Sequence, residues 1–321
     1  MNLSFDYLRT KIKEMYGDAL ADVNSNTISI IPEKCNYAIE KPEHLSVLWK
    51  QKKIRSDQLP CVSFSVKTSQ RDFSTYNNLN GVLTMFNLPT VYSIDDLTQI
   101  DFPAEYASDE DEKLIQELFD EIKKRFKALG PLCHGVNEAT RTEYISPFMI
   151  NAVAGCPPGT VLRPQLRFVG SHDKGPVDYA IEYKSTLIRI TETKVNELGK
   201  GLAQNVVQLQ AAAQHNIRKR KRNSDDSDYD SDTIYGIVTT GVEWLVVLFA
   251  LDSALIRVAA TTHNILKIGV DDRSTSDEEL RKQVRKVFLI IRTLLKEQID
   301  FNSKKSPTEK KEALCKRIRV V

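Results

Sequence analysis

No CxxC pair occurs among the five cysteines, Cys35, Cys61, Cys133, Cys156 and Cys315. An odd and scattered set argues against a disulfide framework and a structural zinc site, and favours a reducing compartment. The five histidines, His44, His134, His172, His215 and His263, show no ligand spacing. No one sign of charge prevails. Lys and Arg number 45 against 43 Asp and Glu, a formal charge of +2. That balance gives no overall pull toward a polyanion, so nucleic acid has to be argued from local sites. Long apolar runs are missing too. The longest, Trp244 to Leu251, falls short of the ~20 residues that span a bilayer, and predicts a buried strand. The opening MNLSFDYLRTKIKEMYG has no apolar core of a secretory signal. There is no P-loop, GxGxxG or GxSxG. What is present is ordinary globular composition, 41% hydrophobic and 27% charged, which excludes a wholly disordered chain. No membrane association is expected.

The periodicities predict an N-terminal α+β region over residues 1–130. Phe5, Leu8, Ile12 and Met15 share a helical face, with Gly17 as its cap. Strand-like runs follow at Thr27–Ile31 and Cys61–Val66. A strong helix is predicted over Asp109–Leu129, with Leu114, Ile115, Leu118, Phe119, Ile122 and Phe126 as its stripe. Acids crowd its start and lysines its end, which complements the helix dipole. Gly130-Pro131 stops it. Beyond, Glu138–Val153 is a helix. Leu162–Val169, Val177–Tyr183 and Leu187–Val195 are strands, and Leu202–Ile217 is a helix. Strands follow at Ile234–Thr240, Trp244–Leu251 and Leu255–Ala259. A helix from Asp277 to about Ile299 carries a Ser276/Glu279 capping box. The order is α-β-β-β-α-β, then further elements.

The chemistry concentrates between Gly175 and Lys194. On a pleated strand Ile188, Ile190, Glu192 and Lys194 share a face, apolar first and charged at its end. In the preceding strand Asp178 shares a face with Glu182. Antiparallel pairing through a tight turn at Lys184-Ser185 brings Asp178 beside Glu192 and Lys194. Two carboxylates and a lysine make a hard-oxygen site suited to Mg²⁺, or to Mn²⁺. Such a site suits phosphodiester hydrolysis. Gln204 and Gln208, i and i+4, lie on one face of the next helix. Gly199-Lys200-Gly201 gives that helix a sharp entry. Glu138, with Glu143 as the alternative, offers a carboxylate from the preceding helix.

PVD, ETK after a short hairpin, QxxxQ on a helix, and a Glu in a first helix resemble the PD-(D/E)XK nuclease superfamily. More narrowly, NEATRTEYISPF, HDKGPVDYAIEY, ITETK, GLAQNVVQLQAA and IYGIVTTGVEW resemble the nuclease-type C-terminal domains of Crinkler-family proteins of fungi and oomycetes. The resemblance covers about residues 131–270 and implies an α/β fold. Its core would be restriction-endonuclease-like, a mixed sheet flanked by helices, within a domain over 131–300. It implies Asp178 and Glu192 as Mg²⁺ ligands, helped by the Thr193 carbonyl, and Lys194 as the catalytic lysine. Glu138 or Glu143 would be the first-helix carboxylate, and Gln204 and Gln208 supporting groups. The implied activity is metal-dependent cleavage of nucleic acid, DNA in preference to RNA. The alternative is a catalytically inactive nuclease fold, acting as a nucleic-acid or chromatin binder or an effector-like interaction protein. No LxLFLAK-like motif opens the chain.

The charged stretch 216–233 is expected to be a surface loop. Its run Arg218–Arg222 has three readings: a nuclear localisation signal met by an import receptor, a phosphate-contacting loop, or a solvated loop. The first is preferred, giving a nuclear or cytoplasmic location, with secretion as an effector left open. Residues 301–321 form a basic tail. Glu182 and Lys184 are expected at the surface, Trp244 and Tyr179 in the core, and His172 in a turn.

Overall fold

The computed structural model describes residues 9–12, 14, 28–32, 64–68, 71–99, 107–133, 135–170, 173–194, 198–223, 231–252, 255–261, 266–271 and 273–303. The chain divides into two compact units, Met1–Asp72 with Phe168–Lys174, and Phe73–Arg167 with Gly175–Val321.

In the first unit, β1 (Ile28–Pro32) pairs antiparallel with β2 (Phe64–Thr68), and Ile30 is fully buried. β3 (Arg71–Asp72) pairs in parallel with Asp173 and Lys174. Residues 9–12 are helical. Phe5, Leu8, Met15, Gly17, Cys61, His172 and residues 304–321 lie outside the described residues.

The second unit is α/β, a mixed sheet flanked by helices. Its strands are β4 (Thr98–Gln99), β5 (Thr160–Val169), β6 (Asp173–Tyr183), β7 (Thr186–Thr193), β8 (Ser231–Thr239), β9 (Glu243–Asp252), β10 (Leu255–Ala260) and β11 (Leu266–Lys267). The sheet runs β6-β7-β8-β9-β10-β4, with β5 on β6 and β11 on β9. β7 with β8 and β10 with β4 are parallel; β6 with β7, β8 with β9 and β9 with β10 are antiparallel. The helices are α1 (Leu79–Met85), α2 (Asp109–Leu129), α3 (Glu138–Ala154), α4 (Leu198–Asn223) and α5 (Asp277–Ser303). The order α3-β5-β6-β7-α4-β8 is the α-β-β-β-α-β series expected from the periodicities.

Opposite strand faces meet different helices, as the pleat requires. On β7, Arg189 and Thr191 reach α5 and α3, whereas Glu192 reaches α4. α2, α3 and α5 share one core with Tyr179, Ile181, Ile237 and Trp244. Trp244 and Tyr179 are therefore core residues, and Phe148 packs on Trp244 with ring centroids 4.8 Å apart. α2 belongs to this core, within the compact unit that begins at Phe73.

α2 starts at a Ser108 capping box with Asp111 and stops at Gly130, whose φ of +77° suits glycine. Asp111 does more than compensate a dipole. It is buried and bonded to Arg292 Nε of α5 at 3.0 Å.

α4 corrects two expectations. It begins at Leu198, so Gly199, Lys200 and Gly201 are helical rather than a sharp entry. A Cβ on Gly201 would lie 2.5 Å from Val238 Cγ1 and 2.7 Å from Lys194 Cγ. Its glycine serves close packing of helix on strand. α4 also runs on through Asn223, so Arg218–Arg222 ends a helix and is no loop. Cations at a helix C-terminus complement the dipole, which is why a block of like charge is tolerated there. Asn216, at the head of the expected loop, is buried; its side chain bonds Leu187 N, Leu187 O and Asp232 Oδ2. At its far end Ser231–Thr233 opens β8.

Candidate functional site

β6 and β7 are joined by Lys184 and Ser185, with φ of +48° and +65°. Two left-handed residues give the turn whose twist matches flanking strands. The register places Tyr179 opposite Thr191 and Ala180 opposite Ile190. One step further, Asp178 comes beside the end of β7. The Thr193 N–H donates to Asp178 Oδ2 at 2.7 Å. Chain direction is then held by β8, because the Lys194 N–H donates to Thr239 O at 2.8 Å.

Glu192 is the centre of the cluster. Lys194 Nζ lies 2.5 Å from Glu192 Oε1, and Gln208 Nε2 of α4 donates to Glu192 Oε2 at 2.7 Å. The Lys194 and Glu192 side chains are only 17% and 9% exposed. Burial pushes the Glu192 carboxyl up to about 7, and the charge of Asp178 adds to this. The Lys194 ammonium and the Gln208 amide oppose it. Two carboxylates are thus held close enough to repel, beside one half-buried cation. Gln208 Oε1 and Thr193 Oγ1 are buried and make no hydrogen bond among the described residues.

The other expected residues divide. Gln204 is buried, but its amide donates to Ser74 O at 3.1 Å and anchors α4 to the turn at Phe73–Thr75. Glu138 is exposed in the first turn of α3. Glu143 is exposed and stands 3.9 Å from Arg125. Among the described residues no hydrogen bond or ion pair joins either glutamate to Asp178 or Glu192. Glu143 is the nearer in electrostatic effect. Tyr179 is pushed up to about 12 by burial, against a Ser146 hydrogen bond, and both Asp178 and Glu143 push it further.

One residue escaped the sequence reading. Gln165 Nε2 donates to Asp178 Oδ1 at 3.1 Å. Gln165 lies within β5 yet has a φ of +51°. A left-handed conformation costs a residue with a Cβ about 1–2 kcal/mol. The preceding Pro164, which cannot donate to a ladder, was the one available signal of an irregular strand. With Gln165 and Thr193, both oxygens of Asp178 are engaged, as are both of Glu192.

Among the described residues no three His, Cys, Asp or Glu side chains cluster to hold a metal alone. The available donors are two carboxylates and main-chain oxygen. Such a set is incomplete without water or substrate oxygens, which is the usual situation for Mg²⁺. Among the described residues no helix is long and apolar enough to cross a membrane.

No known family profile matches the chain. Crinkler effector protein 1 of Rhizophagus irregularis is similar to it, 27% identical over 141 residues. That alignment covers 43% of this chain and 29% of that protein, so the chain spans under a third of its relative. The relationship is a distant, Crinkler-like one.

Proposed function

We propose that the chain is a Mg²⁺-dependent nuclease of the PD-(D/E)XK type, acting on phosphodiester bonds of DNA in preference to RNA. The observation that carries this reading is the convergence of Asp178, Glu192 and Lys194 at one strand end. The donor set fits the ion on a physical ground. Burial is the main reason the Glu192 carboxyl is raised and the Asp178 charge adds to it; a divalent cation shared by the two would remove that added repulsion. Asp178, Glu192 and the Thr193 carbonyl would hold it, and Mn²⁺ could replace Mg²⁺. When bound, the ion lowers the pKa of a water and neutralises charge on a phosphate. The chain's own residues do the rest. Gln208 fixes the Glu192 carboxylate against α4. Lys194, 2.5 Å from Glu192, would offer its positive charge to an attacking water or to the phosphate. Gln204 secures the helix that carries Gln208. A first-helix carboxylate, Glu138 or Glu143, would support the site from α3. A restriction-endonuclease-like core is part of this proposal; the α-β-β-β-α-β order supports it.

The test is cleavage of single- and double-stranded DNA and RNA with Mg²⁺, with Mn²⁺ and with a chelator. Lys194→Ala is run beside the wild type. Metal-dependent cleavage lost in the variant supports the reading, and intact substrates with every metal refute it.

A second reading has its own observation. All four carboxylate oxygens already have donors from the protein, and Lys194 neutralises Glu192. The cluster is then a structural ion pair in a nucleic-acid or chromatin-binding, effector-like protein. Binding unchanged by Glu192→Ala, without turnover, would select it. Import through Arg218–Arg222 remains part of either reading. Lys219 Nζ bonds Ser185 O at 2.7 Å, so the run is partly engaged at the helix end. A reporter fused to residues 216–232 that stays evenly cytosolic would remove that role.

A further inference from the structure

The geometry points to Gln165 as a positioning residue that orients Asp178 for a divalent cation. This rests on the reading of Asp178 as a metal ligand. Three observations meet at one residue. Its amide donates to Asp178 Oδ1 at 3.1 Å, while the Thr193 N–H takes Oδ2. Its backbone is left-handed in the middle of a strand, where neighbouring geometry should be extended. Its side chain is exposed, so no apolar burial stabilises that conformation. Irregular strand residues of this kind re-aim a side chain, and here the target is the carboxylate on the paired strand. The arrangement also divides the labour around the site. Glu192 is steadied from α4 by Gln208, and Asp178 from β5 by Gln165. Each carboxylate therefore has one side-chain amide that fixes its plane. Such partners beyond the ligands set how well a metal site is preorganised.

The experiment is calorimetric titration of Mn²⁺ into metal-free wild type, Gln165→Gly, Gln165→Met and Asp178→Asn. Melting temperatures and cleavage kinetics accompany it. Glycine accepts the left-handed backbone and deletes the whole side chain, amide included. Methionine keeps the length and removes the donor. Both variants should lose at least about tenfold in Mn²⁺ affinity, the scale of lost metal-site support. Gln165→Gly should melt at or above the wild type. In cleavage, kcat should fall with little change in KM. Wild-type affinity and kcat in Gln165→Gly, with binding abolished in Asp178→Asn, overturn the inference and leave the metal site standing. An affinity loss that only tracks a lower melting temperature also overturns it. If the wild type binds no Mn²⁺, the metal reading itself fails and this inference with it.

Discussion

Replacing Gly201 by alanine sets the two halves of the site against each other. The new Cβ would stand 2.5 Å from Val238 Cγ1 and 2.7 Å from Lys194 Cγ. Carbon atoms pack at about 3.5–4.0 Å, so roughly 1 Å must be found. Val238 is fully buried and has nowhere to go. The Lys194 stem can bend, but it takes the ammonium away from Glu192. Overpacking of this kind costs about 1–3 kcal/mol. For a domain of this size that is roughly 2–12 °C in Tm. A displacement of about 1 Å in a reacting group costs on the order of 100-fold in rate. Gly199→Ala is the control. Its Cβ would meet nothing nearer than Ile94 Cγ2 at 3.9 Å, and alanine is the better helix former. Thermal melts and initial cleavage rates are measured for both variants. Gly201→Ala should lose stability and rate while Gly199→Ala loses neither. Wild-type behaviour in Gly201→Ala, or equal damage in the two, would refute the argument.

Three further outcomes follow from buried polar groups. Burial raises the Asp111 carboxyl, but hydrogen bonds from Ser108 and Arg292 outweigh it and hold it at about 2, against 3.8 when free. Its stabilisation is therefore complete above the free value and lost as pH falls through about 4 to about 2. In urea unfolding, the advantage of wild type over Asp111→Asn should shrink by roughly 2 kcal/mol between about pH 6 and pH 2; a constant gap contradicts this. Asn216→Ala removes three buried hydrogen bonds, to Leu187 N, Leu187 O and Asp232 Oδ2, and should cost about 2 kcal/mol by the same assay. Glu192→Gln removes a buried charge next to Asp178 and keeps the shape. Its Tm should hold or rise while metal-dependent cleavage disappears; retained cleavage would exclude Glu192 as a ligand.

Local signals were the legible ones. The acidic start at Asp109–Glu112, the stripe from Leu114 to Phe126 and Gly130-Pro131 place α2 over Asp109–Leu129, while its Ser108 cap came only with the structure. Alternation along β6 and β7, with a two-residue gap at Lys184-Ser185, gives the register that brings Asp178 to the end of β7. The i, i+4 spacing put Gln204 and Gln208 on one face, yet only Gln208 meets Glu192. Which amide reaches which partner depends on how α4 is seated on the sheet, and spacing carries no such information. The basic run misled because a block of like charge is unfavourable in an isolated chain. Its placement at the end of a helix whose preceding turns are buried changes the sign of the argument. Pro164 hints at an irregular strand but not at the partner of Gln165, and the Asp111–Arg292 pair joins segments far apart in the chain, which no local pattern exposes.

The parallel pairing of β7 with β8 also imposes an order in time. The β6–β7 hairpin is local, and such units close in about 1–10 μs. It alone brings the Thr193 amide to Asp178. The Lys194 amide finds Thr239 only after α4 has been laid across the sheet and β8 has returned beside β7, a long-range closure that is intrinsically slow. During folding the two carboxylates are therefore neighbours before the strand carrying their lysine is tied down. Pulse-labelled hydrogen exchange should show the Thr193 amide protected ahead of Lys194.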